Sequence, residues 1–306
     1  MTFSIVARDP ETDAVGVAVH SKFVAVGAVV PFAAADAGAV ATQSYANVDY
    51  GPEGLALLRE GNDAATTIDS LTDADDEAAT RQVGVVGQDG SVAAFSGDEC
   101  HDYFGDVQGE TYTVQGNILE NAETLEAMAE AYESTTGGLP ERILAALHAG
   151  NEAGGDKRGE QGAALYVAKP EGGYDGRGDR WIDVRVDDHE TPIAELERVF
   201  KLYDVTLLER KVPSETMELE GETAEAVAGT LADLGIFEGE PASEFGEAER
   251  EALEKFRGLN NFENHSLAVL EDAIARGWDD AAESAGSGEE RLVDAIWQGL
   301  SRLDRV

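Results

Sequence analysis

Two apolar runs, Thr2–Arg8 and Val15–Ser21, flank the segment Asp9-Pro10-Glu11-Thr12-Asp13-Ala14, whose Pro and Asp residues carry the chemistry of a reversing turn. A hairpin of two antiparallel strands follows, so the chain is committed to building a sheet from its first residues. The apolar residues of this hairpin, and of the next runs Ala25–Ala35 and Gly38–Ser44, are largely Val, Ala and Gly. Such small side chains suit strands in a tightly packed sheet, and the glycines let helices approach closely.

Gly51-Pro52-Glu53 then opens a helical pattern with Leu55, Leu57 and Leu58, and Asn62–Leu71 offers a second helix before the acidic loop Thr72–Glu77. Arg81–Gly87 and Ser91–Phe95 flank the hairpin signal Gln88-Asp89-Gly90, and Tyr112–Gln115 reads as one more short strand. Leu119–Tyr132 and Leu139–His148 are amphipathic helices. Ala163–Ala168 and Trp181–Val186 form a last strand pair, closed by a helix over Pro192–Tyr203. Segregated strands alternating with paired helices predict an α+β layered domain with helices on both sides of stacked sheets. A parallel nucleotide-binding sheet is not expected, because no strand leads into a Gly-x-Gly-x-x-Gly turn. The polar segment Glu209–Glu222, with Pro213, breaks the pattern. The predicted organisation is a layered domain over residues 1–208, a linker over 209–222 and a helical domain over 223–306, carried by Ala224–Leu234, Glu247–Phe256 and Glu290–Leu303.

The 306 residues include 62 Asp and Glu against 22 Lys and Arg, a formal net charge of −40. Such a surface repels nucleic acid and anionic membranes, which removes both as main partners. The acids are spread along the chain, and only six of the basic residues are Lys. At molar salt the Debye length falls to about 3 Å and quenches the self-repulsion, so the composition reads as adaptation to high salt. The single Cys100 excludes an internal disulfide framework and cysteine metal clusters. No apolar run approaches the ~20 residues of a membrane span and no signal-like segment opens the chain, so a soluble cytoplasmic protein is expected.

The most pointed chemistry is Thr2. Removal of Met1 would make a hydroxyl nucleophile the first residue, and its α-amine, with a reference pKa of roughly 7.7–8.0, would serve as its own general base. Asp187-Asp188-His189 has metal-ligand residue types, but consecutive extended residues point to opposite faces; a loop is expected, with His189 kept as a candidate acid–base residue in substrate binding. His20, His101, His148 and His265 show no zinc spacing, and neither a metal nor a cofactor is called for.

Several segments together carry a family resemblance. Thr2-Phe3-Ser4-Ile5-Val6-Ala7-Arg8-Asp9, Gly16-Val17-Ala18-Val19-His20-Ser21-Lys22-Phe23, Ala25-Val26-Gly27-Ala28-Val29-Val30-Pro31, Gly38-Ala39-Val40-Ala41-Thr42-Gln43, Asn47 with Tyr50-Gly51-Pro52, Val114-Gln115-Gly116-Asn117, Ala153-Gly154-Gly155-Asp156-Lys157-Arg158-Gly159-Glu160-Gln161 and Val184-Arg185-Val186-Asp187-Asp188-His189 resemble the Ntn-hydrolase-like family labelled domain of unknown function 1028. The likeness covers roughly residues 2–205. It implies a four-layer αββα sandwich related to proteasome subunits and other N-terminal-nucleophile hydrolases, with Thr2 as nucleophile. The family pattern leads one to expect Ser after Gln161, where this chain has Gly162. Leu234-Gly235, Phe245-Gly246, Ala252-Leu253, Phe256, Asn261-Phe262-Glu263 and Trp278 resemble a peptidoglycan-binding domain, which implies glycan binding by the tail; the same residues equally suit the core of any helical bundle.

Around Thr2, the first hairpin brings Ser21 and Lys22 to the same end as the nucleophile. Ser21 is a candidate proton relay, and the Lys22 ammonium a candidate for holding the amine neutral. Asn117 and the neighbouring amides are candidate oxyanion donors, with Gln43 and Asn47 as polar wall residues. The loop Gly154–Gly159 is the densest basic spot in an acidic chain, so Asp156 and Arg158 are candidate substrate-binding residues, with Arg158 able to grip a carboxylate. The leading expectation is an amidohydrolase acting on a small amide or peptide-like substrate. The alternatives are a small-ligand-binding protein without turnover and a structural homo-oligomer.

Overall fold

The computed structural model describes residues 2–283 and 288–306. The chain divides into two compact units, Met1–Glu197 and Arg198–Val306.

The first unit is built on two antiparallel sheets. Strands β1 (Thr2–Asp9) and β2 (Ala14–Ser21) form the expected hairpin, with Thr2 opposite Ser21 and Asp9 opposite Ala14. They lie at the centre of a six-stranded sheet with β7 (Gly105–Gln108), β8 (Tyr112–Asn117), β9 (Gly162–Ala168) and β10 (Arg180–Val186), in the order β10-β9-β2-β1-β8-β7. Strands β3 (Pro31–Ala34), β4 (Gly38–Gln43), β5 (Gln82–Gly87) and β6 (Val92–Ser96) make a four-stranded sheet in sequence order.

Strand alternation explains how the layers stack. In β1 and β2, Val6, Val15, Val17 and Val19 point between the sheets, where they meet Ala39 and Ala41 of β4 and Val86 of β5. The opposite faces carry helices. Helices α3 (Glu123–Ser134) and α4 (Leu139–Glu152) cover the six-stranded sheet, and α1 (Tyr50–Arg59) and α2 (Ala64–Asp73) cover the four-stranded one through Val40, Val83 and Val85. The layer order is therefore helix, sheet, sheet, helix. Both central strands are buried on both faces, which is why they read as almost continuous apolar runs.

Three local expectations are corrected. Ala25–Ala35 is not one strand: Val26–Ala28 is a 3₁₀ turn and only Pro31–Ala34 joins a sheet, because continuous apolarity reports burial and not extension. The polar edge strand β7 carried no apolar signal. Helix α3 begins at Glu123 and not Leu119, since Leu119 bridges to Asp156 in the preceding loop.

The chain divides inside helix α5 (Pro192–Leu207), before the residue 208/209 boundary expected from the sequence. The second unit contains α6 (Gly221–Asp233), α7 (Glu247–Leu259), α8 (Leu267–Gly277), which is not among the expected helices, and α9 (Gly288–Ser301). Leu231, Leu253, Phe256, Leu270, Ile274 and Ile296 are its core. Residues 209–222, expected to be a linker, are tied into this unit: Arg210 bridges to Arg305, Lys211 N–H donates to the Asp304 carbonyl, and Leu219 is buried. Among the described residues, no helix is long and apolar enough to cross a membrane.

Candidate active site

At the end of the sandwich where β1 begins and β2, β4 and β8 finish, the space between the sheets changes character. The Val and Ala side chains give way, on the same inward-facing positions, to Thr2 and Ser4 of β1, Ser21 of β2, Gln43 of β4, Gln82 of β5, and Gln115 and Asn117 of β8, all buried. A cavity of 660 Å³ opens there. That volume suits a small molecule.

Thr2 lies in the cavity wall, 8% exposed, with Ser21 opposite it on one neighbouring strand and Asn117 opposite it on the other. Its Oγ1 is 3.0 Å from Ser21 Oγ. Beneath it the amides form a directed chain. Gln115 Nε2 donates to Ser4 Oγ at 2.6 Å, Ser4 Oγ donates to Gln43 Oε1 at 2.8 Å, and Gln43 Nε2 donates to Gln82 Oε1 at 2.8 Å. Asn117 Nδ2 donates to the same Gln82 oxygen at 3.0 Å. Gln43 Nε2 also reaches the Thr2 carbonyl at 3.3 Å, and Gln82 Nε2 the Gly116 carbonyl at 2.8 Å. The network joins both sheets and fixes the backbone on either side of the Thr2 hydroxyl; a satisfied buried network of this kind holds a unique geometry.

The rim has a different construction. Ser44, Tyr45 and Ile118 line the cavity with left-handed backbones, φ 59°, 52° and 51°, conformations that non-glycine residues hold only when their surroundings impose them. Arg81 imposes part of this: its Nη1 donates to the Tyr45 carbonyl, while Nε and Nη2 bind Asp75 and Glu77 at 3.0 and 2.6 Å. Asp75 also accepts from Asn47 Nδ2 at 3.1 Å and Tyr50 Oη at 2.9 Å. The Arg81 guanidinium beside it, above all, holds the Asp75 carboxyl well below the usual carboxylate range. Below the rim, Cys100 contacts the Arg81 carbonyl at 3.4 Å, and burial raises its thiol pKa.

Of the residues singled out from sequence, Thr2, Ser21, Gln43, Asn117 and Arg158 line one cavity. Asn47 stands just behind the rim, spent on Asp75. Asp156 lies under the wall: its buried carboxylate accepts from the backbone N–H groups of Lys22 and Arg158, at 2.8 Å each, and from the Arg158 guanidinium at 3.3 Å. Lys22 is a correction. Its Nζ donates to the Glu160 carbonyl at 2.8 Å, and it is not among the described residues lining the cavity: β2 ends at Ser21, and Lys22 lies in the bend beyond it, its backbone N–H held by Asp156. His189 is a second correction. It sits on an exposed loop, Nδ1 accepting from Thr191 N–H at 3.1 Å, outside the cavity lining. Gln82, Gln115, Ser4, Arg81 and the rim residue His101 were not anticipated. For the glutamines the available signal was a polar residue on a core-facing position, as in Ala39-x-Ala41-x-Gln43.

Fold and site together define a two-sheet αββα protein with a hydroxyl pair at the mouth of its inter-sheet space. The chain belongs to the family described as "Family of unknown function (DUF1028)", whose model matches residues 2–196. A second model, described as "Putative peptidoglycan binding domain", matches residues 206–296. The crystal structure of a Silicibacter pomeroyi protein assigned to the first family is similar, with 33% identity and a TM-score of 0.61, covering 66% of this chain and 89% of that one. No curated protein matches the chain.

Proposed function

We propose that the first unit is an N-terminal-nucleophile amidohydrolase in which Thr2, exposed by removal of Met1, attacks a small amide. Met1 lies outside the described residues. The observation that carries the reading is the Thr2–Ser21 hydroxyl pair, 3.0 Å apart, at the wall of a ligand-sized cavity with Asn117 beside it.

The steps follow from what lines the cavity. Thr2 Oγ1 forms a bond to the amide carbon as its proton passes to the α-amine of Thr2, directly or through Ser21 Oγ. The negative charge on the carbonyl oxygen needs preorganised donors; Asn117 Nδ2, which gives one hydrogen to Gln82 Oε1, has a second to offer it. Collapse breaks the C–N bond, the leaving amine takes the proton from the α-ammonium, and an ester on Thr2 remains. Water, giving a proton to the Thr2 α-amine, attacks the ester; the bond from the acyl carbon to Oγ1 breaks, Oγ1 takes the proton back from the α-ammonium, and a carboxylic acid is released. Among the described residues no carboxylate lines the cavity, and the one imidazole that does, His101, stands at the rim against Tyr45. The base for the first step is therefore Thr2's own amine.

That dependence supports a second reading, a ligand-binding protein without turnover, if Met1 is retained. Intact-protein mass spectrometry in molar salt, before and after exposure to an electrophile selective for N-terminal Thr, separates the two. Loss of Met1 with one adduct, absent from Thr2→Ala and slowed about tenfold or more in Ser21→Ala, is the expected result. Retained Met1, or a protein that takes no adduct, overturns the hydrolase reading. For the second unit, the family description supports a glycan-binding accessory role, which a helical fold alone does not argue.

A further inference from the structure

The cavity's lining is chemically unlike the rest of the chain. The sequence carries 62 acidic residues, enough to put about three in any group of fifteen, yet none is found among the fifteen residues lining the cavity. Two arginines and a histidine are there instead. Arg81 is braced by Asp75 and Glu77 and serves the rim. Arg158 is placed differently: its side chain is 42% exposed, while the carboxylate it contacts, Asp156, is fully buried and takes its two shortest bonds from backbone N–H groups. Arg158, paired through Nε and Nη2 with Asp156, is among the residues lining the cavity, and Asp156 is not.

Much of the remaining lining is apolar: Val26, Val29, Val30 and Ile118 belong to it, and so do Phe23 and Tyr45, 49% and 64% exposed. Large apolar side chains left in water beside a cavity are a feature of ligand sites.

Resting on the hydrolase reading for its chemistry, we propose that the site takes amides joining an apolar arm to an arm that bears a carboxylate, as in N-acyl amino acids, with the carboxylate on Arg158 and the apolar arm on the valine wall. Hydrolysis would add one water across the C–N bond, leaving one carboxylic acid and one amine. The field argument is general. In a molecule of net charge −40 an anionic ligand is repelled by the surface, so a locally acid-free, arginine-bearing cavity is what lets one enter, and molar salt lowers the remaining barrier.

The experiment measures binding apart from turnover. Thr2→Ala protein, kept folded in KCl, is titrated calorimetrically with N-hexanoylglycine, with the reversed amide N-hexylsuccinamate, and with the neutral carboxamide of each. N-acetylglycine tests the apolar wall. The expected result is that at least one carboxylate binds about tenfold or more tightly than its carboxamide, and that shortening the apolar arm weakens binding at least as much. Arg158→Gln should erase the preference while leaving the carboxamide affinity in place, which also reports an intact cavity, and Arg158→Lys should restore part of it. Equal affinity of both carboxylates and their carboxamides, no binding of any probe, or a preference indifferent to Arg158→Gln overturns the proposal. Labelling of Thr2 without a carboxylate preference would leave the hydrolase reading standing and remove this one. A carboxylate preference in a chain whose Thr2 is never labelled would do the reverse.

Discussion

His20 sits one residue before Ser21 and points away from the cavity, into the layer under α4. It is fully buried and stacked on Phe3 at 4.8 Å, and neither ring nitrogen has a hydrogen-bond partner among the described residues. Burial, with a smaller push from Lys22, lowers its pKa to about 3. Above pH 6.5 the ring is neutral in both folded and unfolded chains and its contribution is complete. Below that, the unfolded chain takes up a proton that the folded one refuses, so stability falls as pH falls from 6.5 towards 3. Replacing His20 with Phe should flatten the stability profile between pH 6.5 and 5, a window above the carboxylate range, by up to about 2 kcal/mol. Chemical denaturation of both proteins across that window checks it, and parallel profiles would dismiss the assignment. Residue by residue, Thr2, Ser21, Gln43 and Asn117 were legible because strand pairing and a family resemblance pointed to them. Lys22 does not follow from the same reasoning: the hairpin fixes which end of the sheet it occupies, but it lies in a bend beyond β2 whose N–H is held by Asp156, 134 positions away.

At the scale of elements, β5 shows how strand identity serves the site. Gly84 lies between Gln82 and Val86 on the inward face of the strand, and a Cβ added there would fall 2.2 Å from Gln115 Oε1. Gln115 cannot withdraw cheaply, because its Nε2 holds Ser4 and its Oε1 accepts from Thr113 Oγ1 at 3.2 Å. Gly84→Ala is therefore expected to destabilise the protein by about 2–3 kcal/mol and to slow Thr2 labelling. In a Gln115→Ala background the same substitution should cost much less, because the clash has no partner; additive effects in urea titrations would show that the Gly84–Gln115 packing is not what matters. Most elements were readable from hairpin turns and helical periodicity. The exceptions have physical causes. Strand β7 is a polar edge strand paired on one side only, and in Ala25–Ala35 the apolar residues Val26, Val29 and Val30 line the cavity from a 3₁₀ turn and the residues after it, before Pro31–Ala34 joins a sheet.

For the whole molecule, the charge of −40 is balanced only locally, in pairs such as Arg59–Asp36 and Arg8–Asp13 at 2.8 Å. Exposed pairs of this kind contribute little each, and the uncompensated acids repel one another over about 10 Å at 0.1 M salt but over only about 3 Å at 1 M. Raising KCl from 0.1 to 2 M is expected to increase Tm by at least about 5 °C, read by differential scanning fluorimetry; a flat response would remove the salt-adaptation reading. By itself the sequence determined the α+β character, the order of strands and helices, the acidic surface and the helical tail, because each is written in local periodicity, turn chemistry or composition. Only the tertiary structure decided that Gln43, Gln82 and Gln115, drawn from three strands in two sheets, meet beneath Thr2, that Lys22 and His189 stand apart, and that no acid is among the described residues lining the cavity. Those facts depend on which strands become neighbours across the sandwich, and contacts between residues far apart in the chain, such as Ser4 and Gln115, 111 positions apart, leave no trace in local pattern.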